Sequence, residues 1–269
     1  MTGAPHSSVK RYRELARNPS KNGLERELLL EGPHLLVEAR KSGVIIESAA
    51  FDEDALGDPS VRRLAQHLVE EGADVSIVSR KILEAMSPVK TPSGAVGIGR
   101  RSLFDVDDVL NTANALVVVA HDVQDPGNVG GIMRTAEAAG ATAFIATQST
   151  ADPLGWKALR GSMGSALRLP IARADIKSVL EAFRKAGVTP TALVPRGGDP
   201  LFAADLTGPT ALILGGEGSG LPSDVVRKID RRISIPMRGP VESLNVGVAA
   251  ALVLYEAFRQ RSGSGRADL

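Results

Sequence analysis

Apolar positions along the chain change period again and again. They recur at helical spacing in "VKRYRELARN", cluster as a short strand in "ELLLEG", and return to helical spacing in "GPHLLVEARKSG". Strand "VIIESAAF", helix "SVRRLAQHLVEEG", strand "ADVSIVS", helix "RKILEAMS" and strand "GAVGIGR" complete a compact α/β unit ending near Arg100. "RSLFDVDDVLNTAN", with an acidic run and few apolar positions, reads as a linker. A second series opens with the strand "ALVVVAHD" and a helix after "PGNVGG". It continues through strand "TAFIATQ", a short helix near "WKALRGS", strand "ALRLPIA", helix "IKSVLEAFRKAG", and strands "PTALVP" and "TALILGG". Helix "PSDVVRKID", strand "RISIPM" and an apolar helix starting near Ser243 end it. Continuous apolar strands alternating with helices predict a parallel sheet covered on both faces. The pattern predicts one domain over residues 1–103, a second over 104–262, and a disordered polar tail at 263–269.

Composition narrows this picture mainly by exclusion. The chain has 269 residues, 43% hydrophobic and 23% charged, as in an ordinary globular protein of two domains. There is no cysteine, which rules out disulfides, thiolate metal sites and a thiol nucleophile, and suits a reducing cytoplasm. The first residues contain no apolar signal segment, and the longest apolar run, Val246 to Leu254, is too short to span a membrane. Four scattered histidines without an H-E-x-x-H pattern argue against a zinc enzyme, and no metal site is expected. With a net charge of +1, any nucleic-acid contact must come from a local patch.

Open parallel sheets bind ligands beyond the carboxyl ends of their strands. Three strand ends here carry unusual turns. In "HDVQDPGNVGGIMRTAEAAG", Asp125-Pro126-Gly127 is turn chemistry; Gly127 or Asn128 is a candidate helix cap, and Arg134 lies within the helix. "LILGGEGSGLP" surrounds Glu217 with four glycines, which let backbone approach a ligand closely; it is neither a G-x-G-x-x-G fingerprint nor a P-loop. "IPMRGPVESLNVGVAAALVLYEAF" sets a carboxylate, a hydroxyl and an amide before the last apolar helix. Ser243 is a plain candidate for that helix's N-cap, and Asn245 is expected inside its first turn, where asparagine is a poor helix former. Glycine-rich turns suit an adenosine-containing ligand, but the richest comes late, unlike a Rossmann-type enzyme, in which it follows the first strand of the domain.

Taken in order, "DPGNVGGIMRTAEAAG", "LILGGEGSGLP" and "IPMRGPVESLNVGVAAALVLYEA" resemble the three motifs of the SpoU, or TrmH-like, branch of the SPOUT RNA 2′-O-ribose methyltransferases. "RELLLEGPHLLVEA" and "SPVKTPSGAVGIG" resemble the small RNA-binding domain often fused in front, so the likeness spans nearly the whole chain. It implies a small α/β RNA-binding domain, a parallel-sheet catalytic domain with a C-terminal trefoil knot, S-adenosylmethionine as methyl donor, and a homodimer formed through the C-terminal domain. The front domain implies ribosomal RNA of the large subunit. The alternatives are a tRNA 2′-O-methyltransferase and a non-catalytic RNA-binding or ribosome-assembly factor that keeps the fold. Carried residue by residue, the resemblance implies Asn128, Arg134, Glu217, Ser243 and Asn245 for catalysis. It implies cofactor contacts from Gly215, Gly216, Ile235 and Leu244, with Thr147 as a further one. Many members carry asparagine where this chain has Gly216.

Arg134 is described in the family as a base, yet a guanidinium stays charged in proteins. The alternative is that it binds the target phosphate and hydroxyl and stabilises the developing alkoxide. Glu217 is a competing base candidate, or an orienter of Arg134 or Asn128.

The clearest local basic excess is Lys10, Arg11, Arg13, Arg17, Lys21 and Arg26, set against Glu14 and Glu25. As a cluster it predicts phosphate contact; Lys90 and Arg160, with Lys157 and Arg168, are further candidates. Arg259 and Arg261 either contact RNA or favour the end of the last helix. With only 3% aromatic residues, recognition should rest on phosphates, 2′-hydroxyls and RNA shape.

Overall fold

The computed structural model describes residues 6–17, 24–147 and 149–262; Lys21 and the expected tail at 263–269 lie outside them. The chain divides into two compact units. The first runs to Leu103 and also takes in Leu154–Arg168; the second comprises Phe104–Pro153 and the residues from Leu169 on.

The first unit begins with α1 (His6–Arg17), β1 (Glu25–Glu31), α2 (Pro33–Lys41) and β2 (Ile45–Asp52). It continues with α3 (Pro59–Glu70), β3 (Asp74–Val78), α4 (Arg80–Met86) and β4 (Ala95–Ser102). Its sheet has the order β1-β4-β2-β3; β4 is antiparallel to both neighbours and β2 is parallel to β3. On α1, Val9, Tyr12, Leu15 and Ala16 recur at helical spacing. That stripe packs on Leu29 of β1, Leu83 and Met86 of α4, and Val96 and Ile98 of β4.

The second unit contains α5 (Val106–Leu110), β5 (Leu116–His121), α6 (Pro126–Ala138) and β6 (Ala143–Ala146). The chain then contributes α7 (Trp156–Ser162) and α8 (Ser165–Arg168) to the first unit. Next come β7 (Ile171–Arg173), α9 (Ile176–Ala186), β8 (Thr189–Leu193), β9 (Asp199–Pro200) and β10 (Thr210–Gly215). The last elements are α10 (Ser223–Val226), β11 (Arg231–Ser234) and α11 (Val246–Ser262). The seven strands are all parallel, in the order β7-β6-β5-β10-β8-β11-β9. β5 and β10 lie inside the sheet, and every residue of Leu116–Ala120 and of 210–214 is buried, as strands covered on both faces must be. β10 fills the slot between β5 and β8, strands that precede it in the chain.

Several local expectations are corrected. The linker contains α5, whose Val109 and Leu110 are buried in the second unit's core; "VDDVL" places its apolar residues one turn apart. "ALRLPIA" is not one strand, because its first half is α8 and pairing starts only at Ile171. Met163 and Gly164 both take positive φ and break α7, and Ser162 Oγ accepts from Ala166 N at 3.2 Å to restart a helical turn. The helix expected over "PSDVVRKID" is only the single turn of α10.

A functional site at the strand ends

Parallel pairing brings all the carboxyl ends of the large sheet to one edge. Register sets Gly215 of β10 beside His121 of β5, so the glycine-rich turn and the "DVQDPGN" turn are neighbours. Asp125, not Gly127 or Asn128, caps α6: its Oδ1 accepts from Asn128 N at 2.8 Å, and Pro126 occupies the first helical turn, where its missing N–H costs nothing. The cap fixes Asn128 at the helix mouth.

From there a chain of hydrogen bonds runs through all three loops. Asn128 Nδ2 donates to Glu217 Oε1 at 2.6 Å, and Asn128 Oδ1 accepts from Asn245 Nδ2 at 3.3 Å. Asn245 Oδ1 in turn accepts from Gly247 N at 2.9 Å and Val248 N at 3.3 Å. The other carboxylate oxygen of Glu217 accepts from Gln124 N at 3.3 Å. Each amide has one end on a donor and the other on an acceptor, so the orientation of one dictates that of the next.

The same contacts correct the expected start of the last helix. It begins at Val246, and its cap is Asn245, whose backbone oxygen also accepts from Ala249 N at 2.9 Å. Ser243 is not the cap; it stands exposed in the irregular segment between β11 and α11, and Leu244 beside it is half-buried. Glu242 is exposed and lies four residues before the helix.

A cleft of about 360 Å³ opens at this edge, lined by Asp122, Gln124, Asp125, Asn128, Glu217 and Ser219. Gly216 sits where nothing larger fits: a Cβ there would stand 2.0 Å from Asp122 O. Asp122 itself takes φ 60, a left-handed conformation uncommon for a side-chain-bearing residue. An asparagine at position 216 would thus require a different path for the Asp122 turn. Gly218 and Gly220 also take positive φ, but a Cβ on either would meet nothing within 4 Å. Gly218 is exposed, whereas the backbone of Gly220 packs against Gly215 and donates to Gly216 O at 3.1 Å.

Thr147 is buried just beyond β6, and its hydroxyl lies 3.1 Å from His121 Nδ1. Burial pushes the His121 imidazole below its ordinary pKa, which favours the neutral ring. Ile235 is half-buried directly after β11. Arg134 is exposed on α6, nearly two turns beyond Asn128. Among the described residues, neither Arg134 nor Ser243 joins the hydrogen-bond chain. Sequence reasoning missed Asp122, Gln124 and Ser219 in the cleft. Asp125, read from the sequence as turn chemistry alone, also carries a cap signature, an Asp-Pro pair at the start of a helix.

The basic residues of the first unit are less free than their number suggests. Arg11 Nη2 lies 2.5 Å from both Glu27 Oε1 and Glu47 Oε2. Arg13 donates to Ala85 O at 2.7 Å, and Lys10 lies 3.7 Å from Glu14. Arg17 and Lys90 are exposed. Arg160 lies 3.3 Å from Glu31 and Arg168 pairs with Glu38. In the second unit, Arg259 pairs with Glu256, and Arg261 donates to the carbonyls of Asn114, Ala115, Leu206 and Gly208. Both arginines at the end of α11 are thus engaged within the protein. Among the described residues no cluster of three or more His, Cys, Asp or Glu is arranged to hold a metal ion, and no helix is long and apolar enough to cross a membrane.

Residues 115–255 match the SpoU rRNA Methylase family, and residues 7–97 match the MRM3-like substrate binding domain. Over 253 residues the chain is 31% identical to the 23S rRNA (guanosine(2553)-2′-O)-methyltransferase of Bacillus subtilis, covering 94% of this chain and 96% of that one. An AdoMet-bound rRNA methyltransferase from Sinorhizobium meliloti superposes with a TM-score of 0.84 at 30% identity, covering 96% of this chain and 97% of that one. The SpoU methyltransferase AviRb from Streptomyces viridochromogenes, in complex with AdoMet, gives a TM-score of 0.83 at 28% identity, covering 97% of this chain and 100% of that one.

Proposed function

The chain belongs to the SpoU rRNA methylase family and is an S-adenosylmethionine-dependent RNA 2′-O-ribose methyltransferase; on that premise we propose that large-subunit ribosomal RNA is its substrate and the three-loop hydrogen-bond chain its catalytic frame. The observation that carries the reading is the run Glu217–Asn128–Asn245, which locks three separate strand-end loops to the first N–H groups of α11.

When bound, S-adenosylmethionine supplies a methyl group already activated on a sulfonium. The strand ends fit it. Gly218 offers exposed backbone, and Asp122, Asp125 and Glu217 give the cleft a negative lining suited to a cationic donor. Gly215, Gly216, Ile235, Leu244 and Thr147 would hold it by backbone and apolar contact. The protein must still align the ribose oxygen and relieve it of a proton. Both oxygens of Glu217 already accept hydrogen bonds, which supports an anchoring role over a base. Asn128 and Asn245 are positioning amides with hydrogen-bonding capacity to spare for the ribose. Ser243, exposed two residues before Asn245, adds a hydroxyl. Arg134 offers a permanent charge to the target phosphate and the developing alkoxide, while the phosphate or a water takes the proton.

The proposal extends to a homodimer through the second unit. Val248, Leu252 and Tyr255 stand exposed at i, i+4 and i+7 on one face of α11, an apolar stripe suited to a second copy. A trefoil crossing of the C-terminal segment is supported by the insertion of β10 between β5 and β8. The substrate assigns the work to the cytoplasm.

Tritiated methyl transfer to separated large-subunit, small-subunit and transfer RNA tests the substrate. Label should enter the large-subunit RNA and survive as an alkali-resistant dinucleotide, the signature of a blocked 2′-hydroxyl. Label confined to transfer RNA would overturn the substrate assignment, and label on a base would overturn the ribose chemistry.

A further inference from the structure

Resting on that reading, we propose that residues 87–94 and the first turns of α7 form one phosphate-binding surface for ribosomal RNA, organised by the buried carboxylate of Glu31. Glu31 ends β1 with its side chain 2% exposed. Its Oε1 accepts from Ser93 N at 2.9 Å, and its Oε2 lies 3.3 Å from Arg160 Nε. A buried carboxylate is tolerated only when paired and hydrogen-bonded, so this one fixes the loop and the helix at a common point.

The loop's exit is clamped as well. Gly32 N donates to Ala95 O and Asp52 N to Gly94 O, both at 2.9 Å. Gly94 takes φ 95, and a Cβ there would stand 2.7 Å from the Ala55 methyl. Pro88 and Pro92 restrict the tip between them, which leaves Lys90 and Thr91 exposed.

On the other side, Trp156 opens α7 half-buried against the core of the first unit. Lys157 Nζ lies 5.4 Å from the centre of its ring, which favours one placement of that exposed cation. Lys157 and Arg160 are three residues apart and share a helix face. Arg160 thus pairs with a carboxylate that is itself buried, Lys90 is on the loop that the carboxylate holds through Ser93, and Lys157 lies three residues before Arg160. On α1, by contrast, Lys10, Arg11 and Arg13 are engaged by Glu14, Glu27, Glu47 and Ala85 O, and Arg17 alone of its cations is exposed without such a contact among the described residues. An RNA backbone is the occupant whose charge matches, and the exposed hydroxyls of Thr91 and Ser93 add neutral donors. The match to the substrate binding domain ends at residue 97, whereas α7 lies inside the methylase match and folds with the first unit. The RNA-holding surface is thus drawn from both stretches of chain.

Binding of full-length protein to a large-subunit ribosomal RNA transcript, measured across a KCl series, tests this. Lys90→Ala and Lys157→Ala should each weaken binding several-fold and lower the slope of log affinity against log salt by about 0.7–0.9. The double variant should lose about twice that slope, with S-adenosylmethionine binding unchanged by calorimetry. Lys185→Ala, at an exposed lysine paired with Glu181 in the second unit, should leave affinity and slope as they were. Wild-type affinity and slope in the double variant, or an equal loss in Lys185→Ala, would overturn the surface while leaving the enzymatic reading intact. A wild-type protein that neither binds nor methylates any RNA would overturn that reading, and the surface with it.

Discussion

On α1 Arg11 and Arg13 turn back onto their own unit, whereas at the carboxyl edge of the large sheet polar groups bond to one another and line an open cleft. Arg11 is held between Glu27 and Glu47, and Arg13 by a backbone carbonyl. Glu217, Asn128 and Asn245 pass hydrogen bonds along a line that ends on the backbone of α11. The first arrangement satisfies charge and stabilises a helix on a sheet. The second fixes the orientation of groups that still have hydrogen-bonding capacity to offer. Density of charge in a sequence therefore says little about availability. What marks a site is mixed polar chemistry at the ends of parallel strands.

The sharpest way to break the contrast is Asn128→Asp. It sets a second carboxylate at the 2.6 Å contact with Glu217 and removes the donor there. We expect kcat/KM for methyl transfer to fall by at least about 100-fold with the far-UV spectrum unchanged. A variant keeping more than a tenth of its activity would sink the catalytic frame. Gly216→Ala comes next, because its methyl group would collide with the Asp122 carbonyl. It should cost about 2–4 kcal/mol of stability and lower Tm by roughly 5–10 °C, read by calorimetry, with activity lost alongside.

Arg11→Ala should behave oppositely. Its two ion pairs are partly exposed, so the loss should be about 1 kcal/mol, with methyl transfer within about twofold of wild type. A large loss of turnover there would erase the distinction between the regions. The smallest effect concerns Tyr12, on the buried side of α1. Burial pushes its phenol up to about 12, against a lowering by its hydrogen bond to Ser48. The folded state thus favours the protonated phenol. That contribution to stability is complete below the ordinary pKa near 10 and is lost as pH rises toward about 12. Ultraviolet titration of phenolate should show one tyrosine ionising late, and Tyr12→Phe should abolish that step.

Much of this was legible in the sequence, for identifiable reasons. The continuous apolar runs of β5 and β10 left no alternative to a doubly covered parallel sheet, and each of the three loops announced itself by glycine or by a polar break beside an apolar run. The start of α11 was misplaced because Ser243 is a good cap by composition. The actual cap is Asn245, since only there does the side chain meet both the first N–H groups of the helix and Asn128. The pairing of the α1 cations was invisible because Glu27 and Glu47 come from two different strands, distant in sequence. So was the membership of α7, whose apolar face carries no sign of which sheet it will cover.

The excursion of Leu154–Arg168 bears on modularity. The chain passes between the two units three times, after Leu103, after Pro153 and again before Leu169. The last two crossings sit close together, because Arg173 of β7 donates to Thr150 O at 2.9 Å. A recombination event or a cut at Leu103 cannot exchange the front unit as a cassette. It would strand α7 with Leu154, Ala158 and Leu159, all buried in the intact protein, facing water. Any front unit grafted from a relative has to arrive with a matching α7, so the two stretches are expected to be inherited together.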